Sequence, residues 1–199
     1  LELGPGDGLL SAFLVPVLGS SGLTLVDAGD FSHKDVEQYR KQISRFSEVF
    51  PDASVIDFSE ESDMDVILNS VGCSYHVNGL KSLQLLESNS FDLIYSQAVL
   101  EHVRRFEFED MMLECYRLLH PDGIMSHVVD YKDHLGGGLN HMRFSSELWE
   151  RDWFAEESGF YTNRMRMSEM IFICRGIGFD VDIRNVSYWK SLPIKRDHL

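Results

Sequence analysis

Basic residues are scarce in this 199-residue chain: 18 Lys and Arg stand against 32 Asp and Glu, a formal charge of −14. That balance repels phosphate backbones and argues against DNA or extended RNA as a partner, unless Arg164, Arg166 and Arg175 are focused on one face. Cysteine is scarcer still. Cys73, Cys115 and Cys174 are dispersed and form no C-x-x-C pair, which speaks against a disulfide scaffold and for reduced core residues. No apolar run approaches the ~20 residues that span a bilayer, and the opening residues do not follow a signal-peptide pattern. A soluble, cytoplasmic protein with no membrane partner is expected. Repeats and low-complexity linkers are absent as well, and with 44% hydrophobic residues the chain can bury one sizeable core, so we read 1–199 as a single domain.

What the chain does have is glycine in one decisive place. Its first twelve residues, LELGPGDGLLSA, run from a hydrophobic strand end through Gly4, Gly6 and Gly8 into an apolar helical pattern. Glycines there let the backbone turn sharply beneath a ligand, and the following helix offers amide N–H groups at its positive end. The usual dinucleotide fingerprint G-x-G-x-x-G would need a third glycine where Leu9 stands. The spacing is E-x-G-x-G-x-G instead, beginning at Glu2. A second acidic signal, Asp27, closes the apolar run 23–26, at the carboxyl end of a strand where a ribose diol can be held by two hydrogen bonds.

Strand and helix patterns alternate along the chain. Strands are expected at 1–3, 23–27, 73–77, 91–95, 124–129 and 179–189, and helices at 9–18 (cut short by Pro16), 36–50, 64–71, 108–118, 145–157 and 168–176. Ser32 with Asp35, and Ser62 with Asp65, resemble capping pairs, and Gly72 suits a helix end. Alternation of this kind implies a parallel sheet wrapped by helices on both faces, with its ligand at the carboxyl ends of the strands.

With FDLIYSQAVLEHV and LLHPDGIMSHVV further along, these motifs resemble, in order, those of the class I S-adenosylmethionine-dependent methyltransferases, the small-molecule, type 11-like branch. The resemblance implies a Rossmann-like, doubly wound, mostly parallel α/β sheet and S-adenosylmethionine as cofactor. It places Gly4, Gly6 and Gly8 under the methionine part, Glu2 at its amino group, Asp27 with Ala28 beside the ribose, and Ser96, Gln97 and Ala98 near the sulfonium. Asn78, Gly79 and Leu80 follow the third strand where many relatives carry an acidic residue beside adenine, a departure that exchanges an acceptor for a group able to donate and accept. The cofactor half would cover about 1–103 and the substrate-side half about 104–199. Relatives usually carry a segment before the first strand and a seventh strand after the sixth, so the chain reads as truncated at both ends, with an unpaired sheet edge that invites self-association.

Sequence also narrows the chemistry. Enzymes that methylate planar amino nitrogens often carry N-P-P-Y after the fourth strand, whereas this chain has S-Q-A-V. The segment SHVVDYKDHLGGGLNHMRFS, 126–145, concentrates polar groups on the substrate side. His102, His127 and His134 are candidate general bases, because a neutral imidazole titrates near the required pH. Asp130, His141 and Arg143 are candidate substrate ligands, and Gly136, Gly137 and Gly138 suggest a mobile lid. The H-x-x-D-x-x-D-H spacing is no specific metal signature, and no metal is expected. The leading reading is methyl transfer to oxygen, nitrogen or carbon of a small metabolite or saccharide. The alternatives are an inactive binding protein on the same fold and, opposed by Leu9 and the later motifs, a nicotinamide-dependent oxidoreductase.

Overall fold

The opening glycines follow a strand of only two residues, β1 (Glu2–Leu3), which is held on both sides. It runs parallel to β2 (Leu23–Val26), with Glu2 opposite Leu25, and to β4 (Phe91–Gln97), with Glu2 opposite Tyr95. In turn β2 pairs in parallel with β3 (Cys73–His76), and β5 (Leu119–Val128) completes the sheet in the order β3-β2-β1-β4-β5. The computed structural model describes residues 1–50 and 63–194. This is an all-parallel, Rossmann-like α/β sheet of five strands with helices around it. Strand order reverses between β1 and β4, the position at which such sheets open a crevice beyond the carboxyl ends.

Local chemistry explains where the helices start and stop. Helix α1 (Leu10–Leu14) is short because Pro16 ends it, opening a 3-10 turn that Gly19 closes at φ 98°. Helix α2 (Val36–Val49) is capped by Asp35, whose carboxylate accepts the Gln38 N–H at 3.1 Å. Asp35 therefore caps alone, and Ser32 is tied to Asp30 and Lys34 rather than serving in a capping pair. In α3 (Met64–Ser70) the cap is Asp63, which accepts from the Asp65 N–H; Ser62 lies outside the described residues. Gly72 does follow that helix at φ 72°, a conformation that favours glycine. Leu9 and Phe13, Tyr39 and Ile43, Met64, Ile67 and Leu68 pack with Leu25 and Cys73 as a continuous core beside β2 and β3.

By its contacts the chain forms two compact units. The first comprises Leu1–Gln97 with Arg117–Ser126, so it carries β1 to β4, most of β5, and α4 (Gly79–Gln84). The second comprises Ala98–Tyr116 with His127–Leu199, and includes most of α5 (Phe108–Leu118), then α6 (Ser146–Trp149), α7 (Asp152–Glu157) and α8 (Met167–Ile177). The helix expected over 145–157 is thus two helices. They separate at Arg151, whose backbone is extended, while Arg104 binds the Glu150 carbonyl at 2.7 Å.

Two strand expectations change. Strand β5 starts five residues early, running through Pro121 and Gly123, which read locally as a turn. Residues 179–189 form no strand, although their alternation is strand-like. Alternation specifies an extended chain but not a pairing partner, and this segment is instead held at its start, by Phe179 against the Tyr116 ring and by Arg175 donating to the Val181 carbonyl. No helix among the described residues is long and apolar enough to cross a membrane.

Candidate functional site

In the first unit the glycine loop is tied to the end of β2. Gly4 donates its N–H to the Val26 carbonyl at 2.8 Å, and the Asp27 carboxylate accepts from Gly6 at 2.9 Å and from Ala28 at 2.7 Å. Gly4 and Gly6 both sit at positive φ, 63° and 71°. A Cβ added at Gly6 or Gly8 would meet nothing within 4 Å, so the loop presents bare backbone to open space. Loop geometry thus depends on the same acid that the resemblance assigns to the ribose. Each Asp27 oxygen still has a further lone pair, so holding the loop does not consume its capacity to accept.

The other expected residues of this unit converge on the same strand ends. The Gly79 N–H reaches the Asp27 carbonyl at 2.8 Å, joining the start of α4 to β2; Gly79 sits at φ 49°, and a Cβ there would lie 3.6 Å from the Ala28 Cα. Asn78 precedes α4 without capping it through its side chain, and is exposed; Leu80 is half-buried. Beneath the loop, the Glu2 carboxylate accepts from Ser11 and, at 3.1 Å, from the Tyr95 hydroxyl. Burial raises the Glu2 carboxyl above its usual range, and burial with Glu2 alongside raises the Tyr95 phenol. Ser96 is buried and Gln97 exposed at the end of β4.

Ala98, the first residue of the second unit, is exposed and holds φ 54°, a conformation costly for a residue with a Cβ. Its N–H bonds the Val128 carbonyl at 2.8 Å. Next comes Glu101, only 2% exposed, whose carboxylate accepts the Asp130 N–H and is raised by burial. His102 is exposed as a residue, but its Nδ1 makes a part-buried contact, 3.0 Å from the Tyr161 carbonyl. A carbonyl only accepts, so Nδ1 carries the hydrogen and the neutral ring keeps its lone pair on Nε2. Burial, with His134 second, holds His102 below its usual range; the two rings lie 4.8 Å apart.

The segment expected to carry substrate contacts divides by role. His102 and His134 come together, whereas His127 is largely withdrawn, and burial pushes its imidazole down to about 4. Arg143 is exposed. His141 is buried near Trp149 and held low by burial. The Asp130 carboxylate accepts from its neighbour Lys132. The expected glycine lid is a closed turn: Asp133, 2% exposed, accepts the N–H groups of Leu135 and Gly138 on one oxygen and those of Asn140 and His141 on the other. Glycine content suggested freedom, and a buried carboxylate two residues ahead of Leu135 gathers that loop instead. Ser11, Tyr95 and Asn163 carry no sequence signal of their own. Asn163 is buried and bonds the carbonyls of Leu100 and Val103, which sets the backbone on either side of His102.

No curated protein matches the chain. A family model described as a methyltransferase domain matches residues 1–126, the stretch that holds the glycine loop, Asp27, Asn78 and the end of β4. The chain therefore belongs to the class I S-adenosylmethionine-dependent methyltransferases of the type 11 branch, a family whose methyl donor is S-adenosylmethionine.

Proposed function

We propose that this methyltransferase acts on a small metabolite or saccharide, with His102 as the base that takes the acceptor's proton. The observation that supports the reading is the His102–Tyr161 hydrogen bond, which fixes the tautomer and leaves the unprotonated Nε2 able to take a proton. An acidic chain of this size favours a compact acceptor over a nucleic acid.

The residues of the glycine loop and the strand ends fit the cofactor. Open space above Gly6 and Gly8 accommodates a ligand against bare backbone, and Asp27 retains acceptor capacity for a diol. Gly4, Gly6 and Gly8 would hold the methionine part, Glu2 its ammonium, Asp27 and Ala28 the ribose, Asn78, Gly79 and Leu80 the adenine, and Ser96, Gln97 and Ala98 the sulfonium region. When bound, the cofactor supplies a methyl carbon already activated by positive sulfur. What remains for the protein is alignment and exclusion of water. His102 accepts a proton at Nε2 while Nδ1–H stays anchored on Tyr161, and the neighbouring His134 ring limits its orientation. His127 ranks behind it, since a base held near 4 has little driving force at neutral pH. Asp130, His141 and Arg143 would contact the acceptor.

Thermal shift with S-adenosylmethionine against a nicotinamide cofactor, followed by S-adenosylhomocysteine release on a metabolite and saccharide panel, tests this. Stabilisation by the former with turnover supports it. Binding without turnover on any panel member would leave a binding protein.

A further inference from the structure

We propose that Arg164 is an anion-recognition site that binds a carboxylate or phosphate group of the methyl acceptor in bidentate fashion on its Nε and Nη2 edge. The proposal rests on the reading of the second unit as the acceptor-binding one. Arg164 follows the buried triplet Tyr161, Thr162, Asn163 and is itself at φ 54°. That conformation costs energy for a residue carrying a long side chain, and it is retained where the surroundings over-determine it. Here Asn163 supplies the constraint: its own N–H bonds the Glu101 carbonyl at 2.7 Å, and its side chain accepts the Met165 N–H at 3.0 Å.

The guanidinium so positioned lies over the Trp149 ring, 4.2 Å from its centroid, within cation–π range. Trp149 is fully buried, fixed by its indole N–H on the Thr162 carbonyl at 2.7 Å and enclosed by Phe144, Phe154 and Tyr161. One guanidinium nitrogen, Nη1, donates to the Phe144 carbonyl at 3.0 Å. The other two, Nε and Nη2, are hidden from solvent and have no acceptor among the described residues. These two form one side of the guanidinium, the parallel N–H pair that matches the two oxygens of a carboxylate or phosphate.

Leaving such a pair unmatched is costly even on a half-buried residue, because donors hidden from solvent without acceptors forfeit their hydration. Glu150, the acid whose charge acts on Arg164, does not take the role. Glu150 is engaged by the Tyr161 hydroxyl at 3.0 Å and lies 3.9 Å from Arg104. His141 Nδ1 and Thr162 Oγ1 are likewise buried without a partner, so polar capacity around this tryptophan exceeds what the described residues satisfy. Burial lowers the Arg164 guanidinium from its ordinary value without neutralising it. A cation held this way over an aromatic ring selects a small acidic molecule, such as a sugar acid or sugar phosphate, over a neutral one.

The test uses the full chain without cofactor and two probes, sodium acetate and inorganic phosphate, each against chloride at equal ionic strength. A concentration-dependent rise in Tm with either probe is expected for the wild type, and the better probe identifies the source as carboxylate or phosphate. Arg164→Gln should bind that probe about tenfold more weakly or worse, the worth of a lost charge-assisted hydrogen bond. Arg164→Lys keeps the charge over Trp149 but not the paired N–H edge, so it should lose most of the effect while folding normally by circular dichroism. S-adenosylmethionine affinity, measured by calorimetry, should be unchanged in both variants. That readout separates this proposal from the methyltransferase reading, which stands or falls on cofactor binding and turnover. An anion-independent Tm in the wild type, an equal anion response in Arg164→Lys, or a loss of cofactor affinity in a folded variant each overturns the assignment.

Discussion

Asp27 holds Gly6: the carboxylate at the end of β2 accepts the glycine-loop N–H at 2.9 Å, across 21 residues of chain. The acid that the resemblance gives to the ribose thus also fixes the glycine loop that we propose holds the methionine part. Asp27→Ala should weaken S-adenosylmethionine binding by about 1–3 kcal/mol and lower stability as well, since Gly6 and Ala28 both lose an acceptor. Asp27→Asn keeps one acceptor oxygen and should fall between the two. Calorimetry combined with thermal melting reads both effects, and unchanged affinity in a folded Asp27→Ala protein would remove this residue from the cofactor site.

Much of this arrangement was legible in the sequence because it is local. Glycine spacing, Pro16, and the acid ending an apolar run are each statements about a few consecutive residues, and β1 to β4 lie within two residues of where the pattern puts them. Contacts between distant segments were not legible. Nothing in the spacing of Glu2 and Tyr95, 93 residues apart, announces that they share a proton environment. Nor does composition distinguish a glycine run that moves from one gathered by Asp133, since the difference lies in four hydrogen bonds to a buried carboxylate. The strand expected at 179–189 failed for a related reason: its period was right, but pairing is a property of the neighbours.

His102 should show its role in a pH profile. Its imidazole titrates below the usual range, chiefly through burial, so the unprotonated form dominates at neutral pH and is lost as acid is added. Methyl transfer should therefore be flat near neutrality and decline with a single inflection below pH 6.5. His102→Gln should lower kcat by about 10²- to 10⁴-fold with cofactor affinity retained. A variant with wild-type kcat and an unaltered profile would assign His102 to structure alone.

Asp133 makes a contrasting prediction. Asp133→Ala leaves four backbone N–H groups without their acceptor, those of Leu135, Gly138, Asn140 and His141. Each buried donor left unmet costs about 1–3 kcal/mol, reduced here by any water that replaces the carboxylate. A lower Tm and faster amide exchange across 133–141 should result, while S-adenosylmethionine affinity stays constant. Exchange rates equal to wild type would show that the glycines hold this turn without Asp133.

Stability should fall in acid partly through His127, and the sign follows from its withdrawn ring. Folded, the imidazole titrates at about 4; unfolded, it titrates at its ordinary 6.5. Above pH 6.5 both states are neutral there and the residue adds no pH dependence. Between 6.5 and 4 the unfolded chain takes up a proton that the folded chain refuses, so stability declines as pH falls, by about 3 kcal/mol over the whole window. Glu101, raised by burial, contributes with the opposite sign at the acid end, which makes the wild-type curve alone a poor measure. Subtraction isolates the histidine: denaturant unfolding of the wild type and His127→Gln, followed from pH 7 to 4.5, should show the variant losing less stability on acidification. The variant starts lower at pH 7 if glutamine packs less well, yet the gap must narrow as pH drops. Parallel curves would mean that His127 is as protonated in the folded protein as in the unfolded chain.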